Sequence, residues 1–169
     1  MNNNNNEYRK FSMDGKIYIA NDEQYKIITA DIEQNMLVIA CAGSGKSTTM
    51  VCRIKYLIDN GIEPSSIILT TFNVDACDSL KRKLKSLYGK MPDILVGTFD
   101  SIACKFYHKF FSNNHFVDIC EYTIEFNKYL ETPKGQKNFS GYKYVIFDEF
   151  QHVPELPSYI QTIVDSQKK

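Results

Sequence analysis

The segment Ala40-Cys41-Ala42-Gly43-Ser44-Gly45-Lys46-Ser47 has the residue types, in the order, that phosphate chemistry needs. It follows an apolar run, Met36 to Ile39, and opens a helix-patterned one, Thr48 to Ile58. Strand, small-residue loop and helix in that order make a phosphate cradle. Gly43 and Gly45 let the backbone turn its N–H groups inward, and the helix N-terminus adds positive potential. Lys46 can reach the β- and γ-phosphates of a nucleotide, and the Ser47 hydroxyl can ligate Mg²⁺. Ala40 to Ser47, with Thr48 behind them, form the candidate nucleotide-binding set. A second apolar run, Tyr144 to Phe147, ends in the carboxylates Asp148 and Glu149, with Phe150 and Gln151 next. Adjacent acids at the C-terminal edge of a strand suit a Mg²⁺–ATP site. The two segments together point to ATP binding. Each has a competing reading. The strict phosphate-loop pattern begins with glycine where this chain has Ala40, so the first could be a glycine–serine turn before a helix. The second could be an exposed acidic pair ending a strand.

A length of 169 residues suits one domain with a real core, and 43% hydrophobic with 24% charged residues is the balance of a soluble globular protein. No apolar run approaches the ~20 residues of a membrane span, and the N-terminus lacks the apolar core of a secretory signal. Five cysteines (41, 52, 77, 104 and 120) are odd in number and include no C-x-x-C pair. That argues against a disulfide framework or a zinc site and for a reducing, intracellular setting, cytoplasm or nucleus alike, with no membrane partner. Cys41, inside the loop, is either a small loop residue or a thiol activated for redox control by the helix N-terminus. Net charge is zero, so nucleic-acid binding would need a local patch. Lys81, Arg82, Lys83 and Lys85, with Lys90 beyond, could form one or could be a solvated helix face.

Along the chain, residues 1–7 read as a disordered Asn-rich tail and residues 8–20 as a short hairpin turning at Asp14-Gly15. Asn21 or Asp22 caps a helix running to about Ala30. After the first strand and the phosphate-loop helix, Asn60-Gly61 is a stop and Ile67 to Thr71 a second strand. Apolar spacing from Val74 to Leu87 predicts a helix closed by Gly89. Ile94 to Val96 reads as a third strand, and Asp100 caps a helix carrying Ile102, Phe106 and Phe110. A helix over Ile119 to Leu130, a polar loop from Thr132 to Gly141, a fourth strand at Tyr142 to Phe147 and a last helix at Tyr159 to Val164 follow. Strands alternating with helices, each strand a solid apolar run, predict an α/β fold with a parallel sheet covered on both faces. Ligands in such sheets sit at the C-terminal strand ends, where both phosphate segments fall.

From about Asn21 to Tyr159 the chain resembles the N-terminal ATP-binding portion of UvrD/Rep-type superfamily 1 DNA helicases, a P-loop NTPase fold of the RecA-like kind. Asn21-Asp22-Glu23-Gln24 resembles the family's glutamine motif, Ala40 to Ser47 its phosphate loop, and Asp148-Glu149-Phe150-Gln151 its magnesium and hydrolysis motif. Thr70-Thr71-Phe72-Asn73 with Ala76, and Gly97-Thr98-Phe99-Asp100-Ser101, are similar to its two strand-end DNA motifs. The resemblance implies that Gln24 reads the adenine edge, that Asp148 holds Mg²⁺ through water, that Glu149 is the general base and that Gln151 senses the γ-phosphate. It places single-stranded DNA against Thr71, Phe72, Asn73, Thr98 and Phe99; for the two phenylalanines core packing is the competing reading.

The departures are His152, where the family usually has aspartate, Asp100, where it usually has histidine, and room for only one or two helices between Lys105 and Gly141. The strand that normally lies between the phosphate-loop and DEFQ strands, the second motor domain and its arginine finger do not follow. Residues 21–169 thus read as a partial helicase ATP-binding domain, incomplete at the C-terminus, that would need a second helicase domain in cis or in trans. A split or degenerate remnant binding nucleotide or a partner without turnover, and a stand-alone P-loop small-molecule kinase, are the alternatives.

Overall fold

The structure, a computed structural model, describes residues 7–34, 36–110, 132–139 and 141–148. The chain divides into two compact units, Met1–Ser66 with Asp78–Ile94, and Ile67–Cys77 with Leu95–Lys169.

In the first unit, β1 (Lys10–Met13) and β2 (Lys16–Ile19) pair antiparallel, Lys10 facing Ile19 and Met13 facing Lys16. The turn between them needs two residues of positive φ, and Asp14 (51°) and Gly15 (70°) supply it. Alternation buries Phe11 and Met13 of β1. Helix α1 (Asp22–Ile28) starts in a complete capping box, with the Asn21 side chain accepting from the Gln24 N–H and the Gln24 side chain accepting from the Asn21 N–H. Helix α2 (Lys46–Asp59) buries Val51, Cys52, Ile54 and Leu57 along one face and stops at Asn60 and Gly61 (φ 90°).

One strand expected from the sequence does not form. Met36 to Ile39 carry no strand pairing and lie exposed, Ile39 at 89%. A solid apolar run becomes a strand only where a neighbour takes up its N–H and C=O groups, and none does so among the described residues.

The second unit is built on a parallel sheet in the order β4-β3-β5, from β3 (Ile67–Thr71), β4 (Leu95–Thr98) and β5 (Tyr144–Phe147). All five residues of β3 are buried, as its place between two neighbours requires. The ladders set Thr71 beside Thr98 and Thr70 beside Phe147, bringing three C-terminal strand ends level. Helix α3 (Val74–Tyr88) follows β3, and α4 (Phe99–Phe110) follows β4. Ile102 of α4 packs on Ile68, with Leu95, Tyr142 and Val145 around them.

Two local expectations change. The N-cap of α4 is Thr98, whose hydroxyl accepts from the Ser101 N–H at 3.2 Å, and Asp100 sits inside the first turn, where a carboxylate suits the helix dipole. In the stretch expected to be a polar loop, Pro133–Phe139 forms helix α5. Thr132 caps it by accepting from the Gly135 N–H at 3.0 Å, and Pro133 starts it with its φ preset. Among the described residues no helix is long and apolar enough to cross a membrane. The Asn-rich stretch Asn2 to Asn6 and the helices expected at Ile119–Leu130 and Tyr159–Val164 lie outside the described residues.

Candidate functional site

The phosphate-loop candidate is a turn closed by the Ser44 N–H donating to the Cys41 carbonyl at 3.3 Å. Gly43 (φ 77°) and Gly45 (φ 84°) both take the left-handed region that side chains resist. Gly45 is the N-cap of α2 and gives it no side-chain cap, and the positive end of the helix faces the loop. Residues Ala40 to Ser44 are exposed, whereas Gly45, Lys46, Ser47 and Thr48 are half-buried. Lys46 folds back over its own loop, its ammonium donating to the carbonyls of Ala40 (2.8 Å) and Cys41 (3.1 Å). The cation therefore sits above the loop mouth.

Gln24 reaches the same loop from α1. Its Nε2 donates to the Ser44 carbonyl at 3.0 Å while its Oε1 accepts from the Asn21 N–H at 2.9 Å. These bonds use one donor and one acceptor site of an amide that has two of each.

Three further residues brace the helix that follows the loop, and no pattern in the sequence assigns them this task. Lys83, one of the basic run, donates to the Thr48 hydroxyl at 3.0 Å, bringing a second cation to the first turn of α2. Its neighbours make surface pairs instead, Arg82 with Asp14 at 3.6 Å and Lys81 with Asp78 at 3.7 Å. Tyr18 of the hairpin lies 3.1 Å from the Thr49 hydroxyl, and burial pushes its phenol up. Arg53 of α2 is buried and donates to the carbonyls of Ile28 (3.0 Å), Ala30 and Asp31 (2.9 Å), closing the C-terminal end of α1. All three contacts are long-range, so no local pattern announces them. Beside them, burial pushes the Cys52 thiol up to about 12, against the pull of Lys83.

In the second unit, Asp148 follows β5 directly, is 5% exposed and donates its N–H to the Thr70 carbonyl at 2.8 Å, which extends the ladder. Of the strand-end residues, Asn73 caps α3, its Oδ1 accepting from the Ala76 N–H at 2.8 Å. Phe99 stacks on Phe147 with ring centroids 5.5 Å apart and planes 12° from parallel, so packing occupies one of its faces. Phe72 is 47% exposed. Among the described residues the buried hydroxyls of Thr70 and Thr71 find no hydrogen-bond partner. Glu149 and Gln151, with Phe150 and His152, lie outside the described residues.

Residues 20–134 match the family model described as the UvrD/REP helicase N-terminal domain. Over 94 residues the chain is 36% identical to YjcD of Bacillus subtilis (strain 168), assigned only provisionally as an ATP-dependent DNA helicase; this covers 52% of the chain and 12% of the relative. It is 33% identical over 104 residues to the ATP-dependent DNA helicase SRS2 of Saccharomyces cerevisiae, covering 59% of the chain and 9% of the relative. It is also 33% identical over 96 residues to the exonuclease/helicase protein RexA of Streptococcus pneumoniae serotype 4, covering 45% of the chain and 8% of the relative. The aligned stretches thus span about a tenth of the length of these relatives.

Proposed function

The chain belongs to the UvrD/REP helicase N-terminal domain family, and we propose from that premise that it is the Mg-ATP-binding module of a UvrD-like DNA helicase. Its fold is then a RecA-like P-loop NTPase sheet with helices on both faces. The observation that carries the reading is the loop of two left-handed glycines with Lys46 folded over it and Gln24 bonded to Ser44.

The residues fit the groups such a module takes. A triphosphate would draw Lys46 off the carbonyls of Ala40 and Cys41, exchanging neutral acceptors for charged ones. The N–H groups from Gly43 to Thr48 and the α2 N-terminus would surround the phosphates, with Lys83 adding charge behind Thr48. Gln24 keeps one N–H and one lone pair, the complement of the N7 acceptor and N6 donor on adenine. Ser47 and Asp148 would hold Mg²⁺, which supplies charge neutralisation on the phosphoryl oxygens. Glu149 would take the proton of the attacking water and Gln151 would couple the phosphate to DNA, both as the family's motif assigns them. Thr71, Phe72, Asn73, Thr98 and Phe99 remain the proposed single-strand surface, on which Phe72 is exposed.

The exposed run Met36 to Ile39 favours a module completed by a further helicase domain, in cis or in trans, over one that works alone. The test is Mg-ATP turnover by this chain, with and without single-stranded DNA, beside Lys46→Ala. Turnover stimulated by DNA and abolished by the substitution supports a working motor module. Nucleotide binding without turnover, lost in the substituted chain, supports a half-site awaiting its other domain. Neither binding nor turnover overturns the ATP reading, and phosphate transfer to a nucleoside or small acid would replace it with a kinase.

A further inference from the structure

The hairpin precedes residue 20, where the family match begins, so nothing in that match gives it a task. It is nevertheless fastened to the phosphate-loop helix. Thr49 Oγ1 donates to the Gly45 carbonyl at 3.1 Å, which uses its one proton. The Tyr18 O–H must then donate to Thr49 Oγ1 across their 3.1 Å separation. A two-bond relay thus runs from β2 through Thr49 to the left-handed glycine at the head of α2. Tyr18 and Gln24 close on that glycine together: a Cβ built on Gly45 would stand 3.2 Å from Gln24 Nε2 and 3.9 Å from the Tyr18 hydroxyl.

The hairpin is held at both ends, as a strap must be. At its turn the Asp14 N–H donates to Ser86 Oγ at 2.6 Å and the Asp14 carboxylate pairs with Arg82. At its base the Ala20 N–H donates to the Arg9 carbonyl at 2.8 Å, and Arg9 pairs with Asp22 at 2.8 Å and lies over the Tyr25 ring at 4.4 Å. Ser86 and Arg82 belong to the same helix, α3, whose Lys83 holds Thr48. Consecutive residues of the first turn of α2, Thr48 and Thr49, are therefore fixed from α3 and from the hairpin, which are fixed to each other.

We propose that the β1–β2 hairpin is a strap that keeps the phosphate loop in its left-handed-glycine form, with Tyr18 as the positioning residue that transmits it. The proposal rests on the reading of the loop as a nucleotide site. Tyr18 acts on the loop through its hydrogen bond to Thr49 and its packing at Gly45, on the phosphate side of the proposed site; a base-free phosphate ligand should feel its loss as strongly as ATP does.

The test compares the 169-residue chain with Tyr18→Phe, Thr49→Val, Thr49→Ser and the Tyr18→Phe/Thr49→Val pair. Affinity is read by displacement of a fluorescent ATP analogue, with Mg-ATP and with Mg-tripolyphosphate. Tyr18→Phe should weaken both ligands by the same factor, about three- to tenfold, as expected for one lost hydrogen bond. The double variant should be no weaker than the worse single one, and Thr49→Ser, which keeps the hydroxyl, should retain the parental affinity. In the nucleotide-free chain, amide hydrogen exchange over residues 42–48 should quicken in Tyr18→Phe. Unchanged exchange and affinity in Tyr18→Phe, or additive effects in the double variant, overturn the strap. Should Tyr18→Phe not fold, the Thr49→Val and Thr49→Ser pair decides the same question. A parental chain that binds no nucleotide overturns the ATP reading instead, and the exchange measurement then decides the strap alone.

Discussion

Gln24 donates to the Ser44 carbonyl at 3.0 Å while closing the capping box with Asn21, so one amide both starts α1 and tethers the phosphate loop twenty residues on. The two roles separate under substitution. Gln24→Ala removes the reciprocal cap, at about 1 kcal/mol of stability, and removes the side chain proposed to read adenine. The expected outcome is a modest fall in the unfolding midpoint together with loss of the preference for ATP over GTP in competition titrations. A variant that keeps the preference would show that Gln24 only ties the loop.

Gly97 is needed for space rather than for backbone freedom. A Cβ there would stand 2.6 Å from Ser101 Oγ and 2.9 Å from Ile102 Cγ1, because the first turn of α4 packs against β4. Gly97→Ala should therefore destabilise by about 1–3 kcal/mol through overpacking. Since the nearer clash is with Ser101, Gly97→Ala/Ser101→Gly should recover part of the loss. Urea unfolding of the parent and the two variants checks this, and an equal loss in the double variant would place the strain on Ile102.

How far the sequence foretold the structure follows from the range of the forces involved. The Asp14-Gly15 turn, the Asn21 cap, the Asn60-Gly61 stop and the apolar run Ile67 to Thr71 are local signals, and each element stands where its signal lies. Thr132-Pro133 is also a local helix start, a capping hydroxyl before a preset φ, and is legible as one despite the polar, loop-like composition that follows it. Met36 to Ile39 failed for the opposite reason: a strand needs a neighbour, and nothing within the run says whether one exists. The site divides the same way. The loop glycines and Lys46 are a contiguous pattern, whereas Tyr18, Arg53 and Lys83 reach α1 and the first turn of α2 from far along the chain.

Arg53 joins α2 to α1. Its guanidinium supplies donors to the carbonyls of Ile28, Ala30 and Asp31 and lies over the Tyr56 ring at 5.3 Å. Arg53→Met keeps most of the apolar stem but leaves acceptors at the end of α1 without their donor, each costing about 1–3 kcal/mol where water cannot replace it. A loss of about 3 kcal/mol or more is expected, with Arg53→Lys intermediate because an ammonium cannot fork across separated carbonyls. Chemical denaturation measures both; a Lys variant as stable as the parent would mean that charge, not the fork, closes the helix.

Alkaline pH should loosen the fold from a particular residue. Burial pushes the Cys52 thiol from its ordinary 9.0 up to about 12. Burial, followed by the Asp59 carboxylate, pushes the Tyr8 phenol from 10.0 up to about 12, and burial raises Tyr88 as well. In each case the folded chain keeps its proton at a pH where the unfolded chain releases it. The stabilisation is therefore complete below the unfolded value and is lost as pH rises toward the folded one, at up to about 1.4 kcal/mol per pH unit for the buried Cys52 thiol and by less for the phenols, which solvent screens. Between pH 9 and 10 Cys52 is the main source, since the phenols titrate later in the unfolded chain. Urea midpoints measured under reducing conditions should fall from pH 9 upward in the parent, and Cys52→Ala should delay that fall by about one pH unit. Parallel profiles for the two chains would show that the thiol of Cys52 does not carry the linkage.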